Sequence, residues 1–222
     1  MLLAVDTSTQ WVGLALYDGV QVLGEVVWQS QSHHTIELAP AISDLLDRCG
    51  VRPEELKASA VALGPGSFTA LRIGLAVVKG LALAVHIPVV GVPTLDVLAA
   101  AQAVRELPMV CVLQAGRGRL AAGWYHASRG QWIAKGDAAV TNAEELMGQI
   151  EKPTLVCGEL TAADRVVFAR QKKTALLISP AHSLRRPGFL AELGWKRWQA
   201  GKVDDPVSLA PIYLHVAEEI PA

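Results

Sequence analysis

The apolar run from Ala70 to Val85, set directly behind the turn Gly64-Pro-Gly-Ser-Phe-Thr69, constrains this chain more than any other stretch. Ala60 to Leu63 reads as a short buried strand stopped by glycine. Gly64-Pro65-Gly66 forces a sharp turn, because glycine tolerates positive φ and proline fixes its own. Ser67 and Thr69 are placed to cap the helix that follows. Strand, glycine turn and helix start can seat an anion or can be no more than a tight turn; the Gly-Lys-Ser/Thr of a Walker A loop is missing.

At about 100° per residue, Ile73, Ala76, Val77, Gly80 and Ala84 fall on one side of that helix. Leu71, Leu75, Val78 and Ala82 fall on the other, with the charges Arg72 and Lys79 beside them. A helix apolar all round is buried all round. A membrane span needs about 20 apolar residues, more than this run supplies. The small residues Ala76, Gly80 and Ala84 predict that the first side packs closely on the chain's own sheet. The second side then needs cover from another helix of this chain or from a second protein.

The rest of the chain supplies the frame. Leu2 to Val5 predicts a strand cut off by Asp6, which argues against a signal peptide. Trp11 to Tyr17, the Asp18-Gly19 turn and Val20 to Trp28 complete a three-stranded meander. A helix runs to about Cys49, with Leu38, Ala41, Ile42, Leu45, Leu46 and Cys49 at helical spacing; Pro40 predicts a late start or a kink. Pro53-Glu54-Glu55-Leu56 reads as a helical turn, Val89 to Val92 as a strand, and Thr94 as the cap of a helix reaching about Val104. The second half repeats this order loosely. Met109 to Leu113, Leu120 to His126 and Gln131 to Ala134 form a meander. A capping box at Thr141-Asn-Ala-Glu144 opens a helix; Thr154 to Cys157, Ala162 to Arg170, Ala175 to Ile178 and Phe189 to Gln199 alternate strand and helix. The tail from Val207 to Leu214 predicts a segment that packs back. The duplication of element order predicts an α/β chain with the actin-like, duplicated ribonuclease-H-like fold: a first lobe over residues 1–104 and a reduced second lobe over 105–222, divided at Arg105 to Pro108.

Composition narrows the functions. Over 222 residues the net charge is −1, so no overall basic field draws the chain to nucleic acid or membrane. Hydrophobic residues make up 51% and charged ones 18%, which calls for large buried contacts. Cys49, Cys111 and Cys157 lie far apart in apolar runs and suit a reduced, cytoplasmic protein with buried thiols.

In an actin-type ATPase each lobe places an acid and small hydroxyls at its first hairpin turn. Asp6, Thr7 and Ser8 stand there in the first half, but the matching turn Gln114-Ala-Gly-Arg-Gly118 has no carboxylate. One acid and one glutamine hold a hard cation poorly, which argues against an autonomous ATPase and leaves a hydrogen-bonded turn as the plainer reading of Asp6-Thr7-Ser8. His33 pairs at i, i+4 with Glu37 rather than with a second histidine, so a cap or surface role is favoured over a metal site. Ser67 has no histidine near it in sequence to activate it. Arg117, Arg119, Arg185 and Arg186 read as solvated surface.

At Asp6-Thr-Ser, Ser32-His-His-Thr35, Gly64-Pro-Gly-Ser-Phe-Thr-Ala-Leu-Arg-Ile-Gly74, Lys79-Gly-Leu-Ala-Leu83 and Gly91-Val-Pro-Thr-Leu95 the chain resembles the bacterial TsaB (YeaZ) family; Pro211-Ile-Tyr-Leu214 is similar to that family's ending. The resemblance implies a non-catalytic subunit for making N6-threonylcarbamoyladenosine at position 37 of tRNAs that read codons starting with A. It implies pairing with a metal-bearing TsaD-type transferase through the first-lobe helices, a TsaE-type ATPase partner, self-pairing by the same surface, and only indirect contact with tRNA. No cofactor is implied on this chain itself, with ATP or ADP a matter for the complex. Combined with the helical wheel, it assigns the interface to Leu71, Arg72, Leu75, Val78, Lys79 and Ala82, with Leu38, Ile42 and Leu45 contributing. Asp6, Thr7, Ser8, Gly64, Gly66 and Ser67 would then be the vestige of a nucleotide site. The chain departs from the family's pattern at Ala70, Gln114 and His215. Two other classes stay open: a small actin-type phosphotransferase using Asp6 and the Gly64–Ser67 loop, and a glycoprotease-like peptidase using Ser67.

Overall fold

A computed structural model of the chain describes residues 1–31 and 33–214; Ser32 and His215 lie outside the described residues. The first half comprises β1 (Leu2–Asp6), β2 (Trp11–Tyr17), β3 (Val22–Gln29), α1 (His34–Arg48), β4 (Ala58–Ala62), α2 (Phe68–Val85), β5 (Val89–Val92) and α3 (Thr94–Ala100). The second comprises β6 (Met109–Gln114), β7 (Leu120–Ser128), β8 (Gln131–Ala134), β9 (Ala139–Thr141), α4 (Ala143–Gly148), β10 (Thr154–Gly158), α5 (Ala162–Ala169), β11 (Ala175–Leu177) and α6 (Pro187–Gln199).

Both sheets follow one plan. The first runs β3-β2-β1-β4-β5 and the second β8-β7-β6-β10-β11, each an antiparallel meander extended by two parallel strands. The second lobe is the reduced copy: α4 has 6 residues against 15 in α1, and β11 has 3. The short β9, which pairs with β7, has no counterpart in the first lobe or in the sequence reading.

The period-two alternation of β1 sorts the first core into two layers. Leu3 and Val5, with Val12, Leu14, Leu16 and Val61, face α1 and α2. Leu2 and Ala4, with Ala15, Ala58, Ala60 and Ala62, face α6. Alanines suit the second layer because α6 comes very close: a Cβ on Gly194 would lie 2.5 Å from the Cβ of Ala60. The helix expected in the second lobe therefore covers the first sheet. The reverse holds for α3, whose Leu95, Leu98 and Ala99 pack with Met109, Cys111, Leu113 and Leu155 of the second sheet. Each lobe is finished by a helix from the other half of the chain.

The two faces of α2 are the opposite of those expected. Leu71, Leu75 and Val78 are 1%, 6% and 0% exposed, and Ala82 is buried with them. Leu75, Val78 and Ala82 pack with Leu38, Ile42 and Leu45 of α1 over the first sheet. None of these seven residues is available to a partner. The physical reason is volume: interiors pack at crystal-like density, so bulky Leu and Val fill the space over a sheet where alanine and glycine would leave voids. Close approach is confined to one point, Gly74, where a Cβ would meet the Thr7 hydroxyl at 2.2 Å. The small face, Ala76, Gly80 and Ala84, is the exposed one, and nothing lies within 4 Å of a Cβ built on Gly80. The two expected interface cations are also in use. Arg72 lies over the Phe68 ring at 4.6 Å, and Lys79 Nζ donates to the Leu209 carbonyl at 2.7 Å. By length and mean hydropathy α2 could cross a membrane; here one side of it is the core of the first lobe.

Other local expectations shift by small amounts. Pro40 neither delays nor ends α1, which runs through it from His34. Asn142, not Thr141, caps α4 by accepting from the Glu145 N–H. Pro93 holds the cap position of α3, and the Thr94 hydroxyl turns elsewhere. The tail does pack back: Ile212 N–H donates to Leu63 O, Tyr213 stacks on Phe68 at 5.0 Å, and Asp204 accepts from Gly91 N–H.

Candidate functional site

Two features of the surface could do work: a cleft between the lobes and the outer face of α1 and α2. The cleft encloses about 1360 Å³ and is lined among others by Thr9, His34, Ser67, Arg119, Glu159 and Arg185. The residues expected near a nucleotide, Asp6, Thr7, Ser8, Gly64, Gly66 and Ser67, do come together, but of the six only Gly66 and Ser67 line the cleft. Their polar groups are used on one another. Thr7 Oγ1 donates to Ala70 O in α2 at 2.7 Å. Ser8 Oγ lies 2.7 Å from Thr94 Oγ1, which also accepts from Gly64 N–H. Ser67 N–H donates to Ser8 O, and a Cβ on Gly66 would stand 2.1 Å from that same oxygen. The glycine turn is therefore flattened against the β1–β2 turn; glycine is required there for backbone contact, not for a phosphate.

Asp6 is committed on both oxygens. Oδ1 accepts from Ser8 N–H at 2.8 Å, and Oδ2 accepts from Arg185 Nε at 2.8 Å. Arg185 Nη1 pairs with Glu159 Oε1, and Nη2 donates to Thr9 Oγ1 at 3.0 Å and to Trp11 O. Thr9 Oγ1 donates in turn to Glu159 Oε1. Arg185 is thus no solvated surface group: its side chain is 2% exposed. Burial pulls its pKa down, but Asp6 and Glu159 outweigh burial and leave it above the ordinary arginine value. Gln114, in the acid-free turn of the second lobe, donates to Glu159 O and Asp164 Oδ2 and so braces this corner.

A nucleotide with its metal, which the fold class would lead one to test, does not fit this donor set. The carboxylates that could take the cation already hold a guanidinium, and the hydroxyls and loop that could meet phosphate are spent on each other. Among the described residues no three His, Cys, Asp or Glu side chains converge as metal ligands. His33 meets Glu37 at 3.9 Å, and His34 is buried on Thr9 O at 3.0 Å. Ser67 Oγ caps α2 by accepting from Ala70 N–H.

Arg185 and Glu159 are the residues that sequence reasoning missed. Arg185 precedes another arginine and a helix-starting proline, a pattern that reads as surface, and its partner Asp6 is 179 residues away. Glu159 could have been flagged, since it directly follows the carboxyl end of β10, where open α/β sheets place their crevice residues.

The second feature is the outer face of α1 and α2. Ile36 is 71% and Leu83 77% exposed, with Phe68, Ala76, Gly80 and Ala84 also open. These open groups are apolar, while exposed Arg72 and the exposed Asp44–Arg48 pair lie on the same two helices.

Paired ribonuclease-H-like lobes about a cleft, completed by exchanged helices, define an actin-like protein. A family model described as TsaD, tRNA N6-adenosine threonylcarbamoyltransferase, matches residues 21–182. The chain is 30% identical over 98% of its length, and 95% of the relative's, to the tRNA threonylcarbamoyladenosine biosynthesis protein TsaB of Bacillus subtilis. To the TsaB of Escherichia coli it is 36% identical over 44% of this chain and 42% of that one. A Pseudomonas aeruginosa structure described as an uncharacterized protein with similarity to peptidase YEAZ superposes with a TM-score of 0.79, at 27% identity, over 96% of this chain and 99% of that one. The chain belongs to the TsaB (YeaZ) family and is a protein of tRNA threonylcarbamoyladenosine biosynthesis.

Proposed function

We propose that this chain is a non-catalytic subunit that pairs with a TsaD-type transferase, alongside a TsaE-type ATPase, in forming N6-threonylcarbamoyladenosine at position 37 of tRNAs reading codons that start with A. The observation that carries the reading is the outer face of α2: eighteen residues of helix with one side in the core and the other offering Ala76, Gly80, Leu83 and Ala84 to solvent. Burying such a face drives association, and its small residues admit a partner helix at short range. The match to a TsaD model supports a partner of the same architecture, so a second copy of this chain can use the same face when that partner is missing. The self-satisfied cleft supports the absence of chemistry here: any ATP or ADP belongs to the complex, and tRNA is met through the partner. A phosphotransferase reading would need Asp6 free, and it is not.

The test is reconstitution of the modification with the TsaD-type and TsaE-type subunits and the threonylcarbamoyl-adenylate donor, with and without this chain. The chain should be required and should show no turnover alone. Gly80→Arg should abolish pairing on size exclusion while leaving the monomer as stable or slightly more so, because arginine favours helix over glycine by roughly 0.8 kcal/mol and the site is open. Val78→Asp should instead unfold the first lobe. Pairing that survives both Gly80→Arg and Ala76→Arg would sink the assignment of this face.

A further inference from the structure

We propose that Arg185 is a built-in cation that locks the two lobes together: its guanidinium ties one carboxylate from each lobe and holds the cleft at a single opening, in the position where two facing acids would otherwise gather a cation from solution.

The contacts come from three separated parts of the chain. Asp6, Thr9 and Trp11 belong to the first hairpin of the first lobe, Glu159 follows β10 of the second, and Arg185 enters from the segment leading into α6. Among the described residues, Arg185 is the one cation that pairs with a carboxylate from each lobe; Arg186, next in sequence, pairs only with Glu25 of the first lobe. The side chains of Arg185 and Asp6 are 2% and 3% exposed and that of Glu159 is 14% exposed. A guanidinium cannot shed its proton at any pH the fold survives, and its fixed fork can serve two acids at once. Removing Arg185 would leave two acids without their cation, whereas removing Glu159 leaves Arg185 paired with Asp6 and unties only the second lobe. Because the cation is covalently part of the chain, no ligand has to arrive for the lobes to be fixed, and none has to leave. The lock is the same whichever protein covers α2.

The competing account is that α3 and α6, packed across the lobes, hold them without help. Amide hydrogen exchange separates the two. The variants are Glu159→Ala, which leaves the Asp6–Arg185 pair intact, and Arg185→Ala. In both, exchange should rise at least about tenfold in peptides covering residues 7–11 and 158–161, since charge-assisted hydrogen bonds are lost at each edge. The β1 and β6 core amides should not change. Millimolar methylguanidinium should slow exchange in Arg185→Ala, and potassium chloride at equal ionic strength should not. Exchange in Glu159→Ala equal to the unmodified chain would overturn the proposal, as would rescue by potassium as good as by methylguanidinium. Should Arg185→Ala fail to fold, Glu159→Ala decides alone.

Discussion

Replacing Gly74 by alanine should be costly for a reason that a helix wheel does not contain. The added Cβ would sit 2.2 Å from Thr7 Oγ1, 3.1 Å from its Cγ2 and 3.2 Å from its Cβ. Thr7 is fully buried and cannot turn aside without breaking its 2.7 Å bond to Ala70 O, one turn earlier in the same helix. Alanine gains about 1 kcal/mol of helix propensity over glycine. Against that stand about 1–3 kcal/mol of overpacking and about 1 kcal/mol for the strained or lost hydrogen bond. A net loss of about 1–3 kcal/mol follows. Thr7→Ala alone should cost about 1–2 kcal/mol, for the hydrogen bond and the methyl group. It also vacates the space that the methyl group introduced by Gly74→Ala needs. The double variant should therefore be no less stable than Thr7→Ala alone, with a coupling energy of at least about 1 kcal/mol. Urea melts of the four proteins, with unchanged slope, measure this directly. Costs that simply add, within about 0.5 kcal/mol, would mean that α2 and the β1–β2 turn do not meet as described.

Gly194→Ala should lift α6 off Ala60 and lower the melting temperature by several degrees, at about 2–4 °C per kcal/mol for a chain of this size; calorimetry reads it. Burial raises the Asp96 carboxyl above its usual value, although the Tyr125 hydroxyl pulls the other way. The folded chain then holds that proton more tightly than the unfolded one, so this group's contribution is present at low pH and lost as pH rises through its folded pKa. Asp96→Asn should remove that slope from stability-against-pH curves and be at least as stable as the parent at neutral pH. Cys111 and Cys157 are fully buried with their sulfurs 3.4 Å apart, and burial raises the Cys111 thiol well above its usual value. A thiol reagent should therefore modify only half-buried Cys49 in the native protein, and all three after denaturation.

The element order was legible because periodicity and turn residues are local. Asp18-Gly19 and the Gly64-Pro65-Gly66 turn punctuate the chain as read, and the repeated meander pointed to the duplicated fold before any contact was known. What periodicity could not decide was direction. A helix with two apolar sides has no preferred inside, and Ala76, Gly80 and Ala84 suit a close neighbour of either kind. The choice was made by the volume available over the first sheet, which Leu71, Leu75 and Val78 fill. The cleft was half legible. Asp6, Thr7, Ser8 and the glycine turn were singled out, but their role became visible only with Arg185 and Glu159, residues whose significance lies in distant partners. Thr94 teaches the same lesson on a smaller scale: a hydroxyl at a helix start reads as a cap, and here it is drawn away to Ser8 and Gly64.

The crossing of α3 and α6 has a consequence for dissecting the gene. A cut near residue 104 looks natural on paper, yet each product would carry off the lid of the other. Residues 1–104 would expose the alanine layer that α6 shields, and residues 105–222 would bare the strands that Leu95 and Leu98 shield. The two pieces should be insoluble when expressed apart and should rescue each other when expressed together, as complementing fragments of one cooperative unit.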